Sequence, residues 1–214
     1  AIPAERQAVL RDIFDALADA EPRPAVSTFT DGATFPTGDG ELRAVHTSGH
    51  ADGLCLFETR DGTEVLSGDA LLPVYTPNVG GADVRVERPL EKYLRALARI
   101  AEADYEVGWP GHRHPVDDPA GRAETIIPHH ERRASRVLDA LRRLGPTDVW
   151  TVSADLFGEL EGIHNLHGPG ECYAHLEHLE REGLVVAEEN EWRLADGVAE
   201  RVENREEEAW PLEY

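Results

Sequence analysis

The sequence predicts a mixed α/β (α+β) domain followed by a small domain of winged-helix pattern, in which helices precede a two-stranded hairpin. Two observations predict the first domain. The segments LCLFETR (54–60) and TEVLSGD (63–69) have strand character and are joined by an Asp-Gly pair, which is a strong hairpin signal. The segment PLEKYLRALARIAEA (89–103) spaces its apolar residues as an amphipathic helix does. The third observation is a change after residue 119, where helical patterns replace the strands.

The N-terminal segments fit the same architecture. Residues 4–19 predict a helix, which a proline pair at Pro22 and Pro24 ends. Residues 26–44 predict short strand pieces separated by glycine-containing turns, and residues 105–110 predict another short strand. The apolar face expected for the first helix consists of Val9, Leu10, Ile13, Phe14 and Leu17.

The C-terminal part of the chain predicts the smaller domain. Residues 123–145 form a long helix or a helix pair in this prediction, and further helices are expected over 154–160 and 172–183. Residues 185–195 have the pattern of a strand pair, which completes the winged helix. The predicted boundaries are 1–118 for the α/β domain, 119–196 for the helical, winged-helix domain, and 197–214 for an acidic tail that packs only through Trp210 and Leu212.

The charge of the chain excludes some classes of partner. The 214 residues contain 42 acidic and 21 basic residues, a formal net charge of -21, and Lys92 is the single lysine. A surface this negative repels phosphate backbones and anionic lipid, so we expect no DNA partner and no membrane partner. Because 41% of the residues are hydrophobic, the chain folds despite this repulsion. The composition indicates an acidic, halophilic protein, adapted to high salt.

Cysteine usage points to a reducing compartment. Cys55 and Cys172 lie far apart and do not form a CxxC pair, so we expect two free thiols rather than a disulfide framework. No apolar run reaches the roughly 18 residues of a membrane span, and no signal peptide is recognisable. The sequence therefore predicts a cytoplasmic protein.

Three short segments carry the candidate chemistry: HTSGHADG (46–53), SGDAL (67–71) and PGH (110–112). Each places an imidazole or a carboxylate after a predicted strand, in a loop kept tight by glycine. These are the ligand types that hydrolytic zinc favours, and loops at strand ends can converge on one ion. Any one segment alone also fits an ordinary turn or cap. Their joint order and spacing are more specific.

The three segments resemble the HTxGHxxG, SGDxL and PGH motifs of the metallo-β-lactamase-fold hydrolases. The resemblance covers residues 29–118 and extends into the C-terminal helices, as in the branch that contains lactamase-like ribonucleases and hydroxyacylglutathione-hydrolase-like enzymes. It implies an αββα sandwich and a site for two zinc ions. By this resemblance His50 binds one zinc, Asp69 bridges both and His112 binds the second. The residues that could line the cleft without binding metal are His46, His114 and His129.

The resemblance implies a zinc-dependent hydrolase in which a metal-bound hydroxide attacks a small ester, thioester or related acyl substrate. One alternative is a metal-dependent ribonuclease of the same superfamily. Another is a non-catalytic winged-helix interaction module that reads DNA. Residues 147–196 disfavour that module, because they contain 12 acidic residues against Arg181 and Arg193. Dimerisation or covering of the cleft suits these helices better.

One motif of the family does not occur in the sequence. The HxHxDH motif, which supplies further metal ligands and the catalytic groups, is absent, and His112-Arg113-His114 lacks the trailing Asp-His pair. The chain begins at Ala1 and contains no methionine, so we expect its true start upstream and the sandwich to be incomplete at its N-terminus. With fewer than the three ligands that catalytic zinc normally has, we expect partial or no zinc binding and little activity. An exposed sheet edge is expected to cause self-association.

Overall fold

The computed structural model describes residues 2–20, 25–38, 40–205 and 209–214. The chain divides into two compact units, one of residues 29–132 and 211–214 and the other of residues 1–28 and 133–210. The predicted boundary after residue 118 coincides with the start of a long helix, α3 (Pro119–Leu144). The chain passes from one unit to the other between residues 132 and 133, within α3. The domain boundaries expected from the sequence stay a prediction.

A five-stranded sheet forms the centre of the unit of residues 29–132. Its strands lie in chain order: β1 (Thr34–Pro36), β2 (Glu41–His46), β3 (Cys55–Thr59), β4 (Glu64–Gly68) and β5 (Val107–Pro110). The first four pair antiparallel, which confirms the predicted hairpin. β5 pairs parallel with β4, after a crossover that contains α2 (Pro89–Glu102).

The core of this unit lies on one face of the sheet and on the inner face of α2. Leu56 and Val65 are fully buried on the sheet, and Leu90, Leu94 and Leu97 are fully buried on α2. The leucine spacing in α2 puts these side chains on one side of the helix. The periodicity of residues 89–103 therefore predicts the helix correctly.

Both edges of the sheet are short. β1 has three residues and ends at Pro36, which has no N–H to donate. At the other edge, Gly108 of β5 forms an antiparallel bridge with Val116. Self-association through an edge stays a prediction.

The other unit contains α1 (Ala4–Ala20), α4 (Val149–Phe157), α5 (His164–Arg181), the strands β6 (Val185–Glu188) and β7 (Glu191–Leu194), and α6 (Val198–Glu203). β6 and β7 pair antiparallel, as expected for residues 185–195. The grouping of these elements as a winged helix stays a prediction.

Two helices of this unit begin earlier than predicted. α4 begins after Asp148, whose carboxylate accepts a hydrogen bond from the Thr151 N–H at 2.8 Å. α5 runs through Gly168 and Pro169, residues that normally signal a break. A Cβ at position 168 would lie 2.9 Å from Oγ of Ser153, so close packing accounts for this glycine.

The apolar face expected for α1 is only partly buried. Leu10 is buried, whereas Val9 and Phe14 are 39% and 48% exposed. Because α1 contacts α5 within this unit, only a narrow stripe of α1 is covered. Leu17, like the pair Pro22 and Pro24, lies outside the side chains that the structure describes.

The expectation that the tail packs only through Trp210 and Leu212 is wrong. Leu212 is buried, and Arg201 lies 5.2 Å from the centre of the Trp210 ring. However, Val198 and Val202 of α6 are also buried. The sequence prediction missed this apolar face because most residues of the tail are charged or polar.

Both cysteines are free thiols, as the spacing predicted. Among the described residues, no helix combines the length and apolar character needed to cross a membrane.

Candidate metal centre

The parallel pairing of β4 and β5 positions the candidate carboxylate. Because parallel strands end at the same edge of a sheet, Asp69 after β4 and His112 after β5 are brought together. Gly68 ends β4 with φ +51°, a left-handed conformation that glycine adopts without strain. The Gly111 N–H donates to the Gly68 carbonyl at 2.9 Å, which joins the two loops at their first turn.

The loop of residues 47–54 positions His50. It follows β2, and the Thr47 N–H closes it by donating to the Leu54 carbonyl at 2.9 Å. Gly49 within this loop has φ +147°, and a Cβ there would lie 2.7 Å from the backbone of Tyr93 in α2. The close approach of loop and helix therefore requires glycine beside His50.

The structure brings His50, Asp69 and His112 together. Oδ2 of Asp69 lies 3.6 Å from Nε2 of His50 and 3.4 Å from Nε2 of His112. The side chains of His50, Asp69 and His112 are 19%, 26% and 60% exposed, so the group lies at the surface end of the sheet. One carboxylate oxygen thus faces two imidazole nitrogens in a place that solvent reaches.

A backbone carbonyl sets the tautomer of His50. Nδ1 of His50 lies 2.8 Å from the carbonyl oxygen of Asn78. Since a carbonyl only accepts, Nδ1 carries the proton and donates, which leaves Nε2 as the atom suited to bind a metal. Metal-ligating histidines are commonly oriented in this way.

The second oxygen of Asp69 also points to a ligand. Oδ1 is buried and has no hydrogen-bond partner among the described residues. Burying a carboxylate oxygen without a donor or a cation is costly. Two imidazoles and one carboxylate are a donor set that zinc accepts. The residues present therefore fit a metal ion.

The three residues suggested as cleft-lining lie in different places. Nε2 of His46 is 2.6 Å from the Asp52 carbonyl, so this exposed side chain braces the loop of residues 47–54. His114 is exposed, and its Nδ1 lies 2.9 Å from the Pro115 carbonyl. His129 on α3 is half-buried, with its ring edge-to-face against His130 at 5.5 Å. None of the three is part of the group around Asp69.

Sequence reasoning missed a carboxylate that supports the His50 loop. Asp83 is buried and accepts hydrogen bonds from the N–H of Asp52 at 3.1 Å and from the guanidinium of Arg85 at 2.8 Å. The bond from Arg85, with the two backbone N–H donors, holds the pKa of Asp83 far below its usual range. In the sequence, Asp83 and Arg85 are an acidic and a basic residue two positions apart, a spacing that suggests an ion pair. That spacing does not predict the contact with Asp52.

The chain is similar to proteins of one known superfamily. Residues 3–112 match the model of the metallo-beta-lactamase superfamily, which is about half of the chain. A metallo-beta-lactamase family protein from Thermus thermophilus is 30% identical, with a TM-score of 0.71 over 90% of this chain and 65% of that chain. A beta-lactamase domain protein from Burkholderia ambifaria, 24% identical, has the same fold, with a TM-score of 0.73 over 88% of this chain and 60% of that one.

A curated relative adds the name of an activity. The chain is 27% identical to an atrochrysone carboxyl ACP thioesterase from Aspergillus fumigatus over 123 residues, which is 58% of this chain and 36% of that protein. The chain spans less than half the length of the first curated relatives that it matches.

Proposed function

The chain belongs to the metallo-beta-lactamase superfamily, and we propose that it provides part of the active site of a zinc-dependent hydrolase acting on a small ester, thioester or related acyl substrate. The reaction adds water across the acyl bond, giving a carboxylic acid and an alcohol or a thiol. The observation that carries this proposal is the position of Asp69 Oδ2 between the Nε2 atoms of His50 and His112.

The proposed roles of these residues follow from their surroundings. His50 binds through Nε2, since its Nδ1–H is engaged by Asn78. Asp69 places one oxygen, Oδ2, near both imidazoles and is the group suited to bridge two ions. His112, the most exposed of the three, binds at the solvent side. When bound, zinc ions lower the pKa of water and polarise an acyl carbonyl.

The acyl substrate is favoured over RNA for two reasons. A relative of this chain is named as a thioesterase. In addition, the net charge of -21 opposes the approach of a polyanion, whereas a small acyl compound is much less affected.

The ligand count leads to a further proposal about the 214-residue chain alone. Two histidines and one bridging aspartate give each of two ions only two ligands, below the three normal for catalytic zinc. We therefore expect weak zinc binding and little hydrolysis. The same chain extended N-terminally by a relative's HxHxDH-bearing segment is expected to bind two zinc ions and to hydrolyse thioesters.

Thioester hydrolysis by the extended chain tests the proposal. The release of thiol from an acetyl thioester is followed with and without added zinc. Asp69→Asn is expected to abolish zinc-dependent turnover, because it removes the bridging charge while keeping the side-chain size. Asp104→Asn is the matched control, since Asp104 is exposed and precedes β5, whereas His112 follows the opposite end of that strand. Zinc-dependent turnover that survives in Asp69→Asn, or cleavage of RNA but not of the thioester, would overturn the proposal.

A further inference from the structure

Arg113, the residue after His112, has an unusual backbone conformation. Its φ is +78°, and only Arg88 and Glu189 share a positive φ among the described non-glycine residues. Arg88 caps the start of α2, and Glu189 lies in the turn between β6 and β7. A left-handed conformation costs an L residue free energy, and such strain is often retained at functional sites. Arg113 lies in the loop of residues 109–115, which the antiparallel bridge between Gly108 and Val116 closes.

The side chain of Arg113 rests on an aromatic ring. Its guanidinium carbon lies 5.9 Å from the ring centre of Tyr75, a side chain that is itself 42% exposed. The backbone beneath the ring is fixed, because the guanidinium of Arg122 donates to the carbonyls of Leu72 at 2.7 Å and Tyr75 at 3.2 Å. The Arg113 side chain is exposed, and its guanidinium lies near this ring.

The loop that carries Tyr75 also reaches the candidate metal centre. Three residues after Tyr75, the carbonyl of Asn78 accepts the Nδ1–H of His50. Arg113 is thus connected to the centre on two sides, through the peptide bond to His112 and through the loop that orients His50. The two loops that carry His112 and Asn78 therefore also carry Arg113 and Tyr75.

The charge of Arg113 is not neutralised within the described part of the chain. Its guanidinium lies near the neutral ring of Tyr75, and no carboxylate of the described residues lies within salt-bridge distance of it. This is notable in a chain where acidic residues outnumber basic ones by 42 to 21. The N–H donors at the edge of a guanidinium match the two oxygens of a carboxylate or a phosphate.

We propose that Arg113, supported by Tyr75, is the anion-recognition residue of this site, so that the substrates are acyl esters or thioesters bearing a carboxylate or a phosphate. The substrate class rests on the proposed hydrolytic function, whereas the anion site itself does not. Arg113 offsets the repulsion between an anionic substrate and this acidic protein and orients the substrate toward His112.

Binding of simple anions to the metal-free, full 214-residue chain tests this proposal. The probes are propionate and ethyl phosphate, with propionamide as the neutral analogue. Binding is followed by the NMR signal of the Arg113 Nε–H, assigned by its loss in Arg113→Lys. Wild type is expected to bind at least one of the anions about tenfold more tightly than the amide. The two anions separate a carboxylate preference from a phosphate preference.

Three variants make the test decisive. Arg113→Gly removes the charge and relieves the backbone strain, so anion binding is expected to be lost while the melting temperature stays equal or rises. Tyr75→Leu is expected to weaken binding, and Tyr75→Phe, which keeps the ring, is expected to retain it. Arg60→Ala, an exposed arginine at the far end of β3, is the matched control and should bind as wild type does.

Two results would overturn the proposal: equal binding of anion and amide, or anion binding that persists in Arg113→Gly. Zinc affinity measured in the same variants separates this inference from the proposed function. Loss of anion binding in Arg113→Gly with unchanged zinc affinity supports the anion site. If the wild-type chain binds the anion while Asp69→Asn leaves zinc affinity unchanged, the anion site is retained and the metal centre is rejected.

Discussion

Gly111 leaves room for the carboxylate of Asp69, and a residue with a Cβ at this position would not. A Cβ built on Gly111 would lie 2.5 Å from Oδ1 of Asp69, well inside normal contact distance. The same Oδ1 is buried without a hydrogen-bond partner among the described residues. The loop after β5 is therefore shaped around the carboxylate at the end of β4.

Gly111→Ala is expected to displace Asp69 and weaken zinc binding about tenfold, an effect similar to that of losing a group that orients a ligand. A competition titration with a chromogenic chelator measures the affinity. Gly38→Ala is the matched control, because a Cβ at position 38 meets nothing within 4 Å. Equal zinc affinity in Gly111→Ala and wild type would show that the position of Asp69 does not govern binding.

Asp83→Ala is expected to loosen the loop that carries His50. It leaves the Asp52 N–H and the Arg85 guanidinium without their acceptor, which costs about 1–3 kcal/mol of stability. Chemical denaturation measures the loss, and hydrogen exchange of residues 47–54 locates it. If the extra exchange appeared elsewhere in the chain and not in this loop, the proposed support would be refuted.

Glu58 is expected to contribute stability that is lost in acid. Burial acts to raise the pKa of Glu58, but hydrogen bonds from Tyr105 at 2.5 Å and Arg43 at 2.7 Å, with the charge of Arg99, bring it below its usual value. Because the folded pKa is lower than the unfolded one, this contribution is present above the ordinary pKa of 4.5 and fades as the pH falls through the folded pKa.

Glu58→Gln should therefore destabilise the protein by about 1–2 kcal/mol at pH 7 and by less near pH 3. Urea unfolding at both pH values measures the difference. Glu64→Gln is the comparison, because Glu64 accepts a hydrogen bond from Nε1 of Trp109 at an exposed position. A Glu58→Gln effect that did not shrink in acid would contradict the sign of the shift. The hydrogen bond between Glu58 and Tyr105 shifts the pKa of its donor in the opposite direction: burial and this bond raise the pKa of Tyr105 to about 12.

Salt is expected to stabilise the chain, because a net charge of -21 repels itself and added ions screen that repulsion. The melting temperature should rise steeply between low salt and about 0.15 M, where the Debye length is about 8 Å, and more slowly above it. Sodium chloride is compared with an uncharged osmolyte of equal osmolality. A melting temperature that is independent of salt would argue against the halophilic interpretation.

The elements that local chemistry determines were predictable from the sequence. The Asp61-Gly62 turn specifies the hairpin of β3 and β4, and the leucine spacing specifies α2. The start of α5 was missed because Gly168 and Pro169 suggest a break. The close approach of Leu160 and Ser153, which explains the glycine, is visible only in the structure. Boundaries set by contacts between distant segments do not appear in a local pattern.

The candidate site divides in the same way. His50, Asp69 and His112 could be named from three motifs and lie together as expected. The groups that orient them could not be predicted, because they are backbone groups that any residue type could supply. Asn78 accepts from His50 through its backbone carbonyl, and the Tyr93 backbone packs against Gly49. In the sequence Arg113 is only a spacer between two histidines, and its contact with Tyr75 requires the loop to fold back.

The most direct test of the central claim is the zinc affinity of the 214-residue chain with and without the Asp69 carboxylate. Competition titrations compare wild type, Asp69→Asn and the exposed control Asp104→Asn under one buffer and salt condition. The account predicts at least about a tenfold loss of affinity in Asp69→Asn and none in Asp104→Asn. Equal zinc affinity in all three proteins would contradict the assignment of His50, Asp69 and His112 as the metal centre.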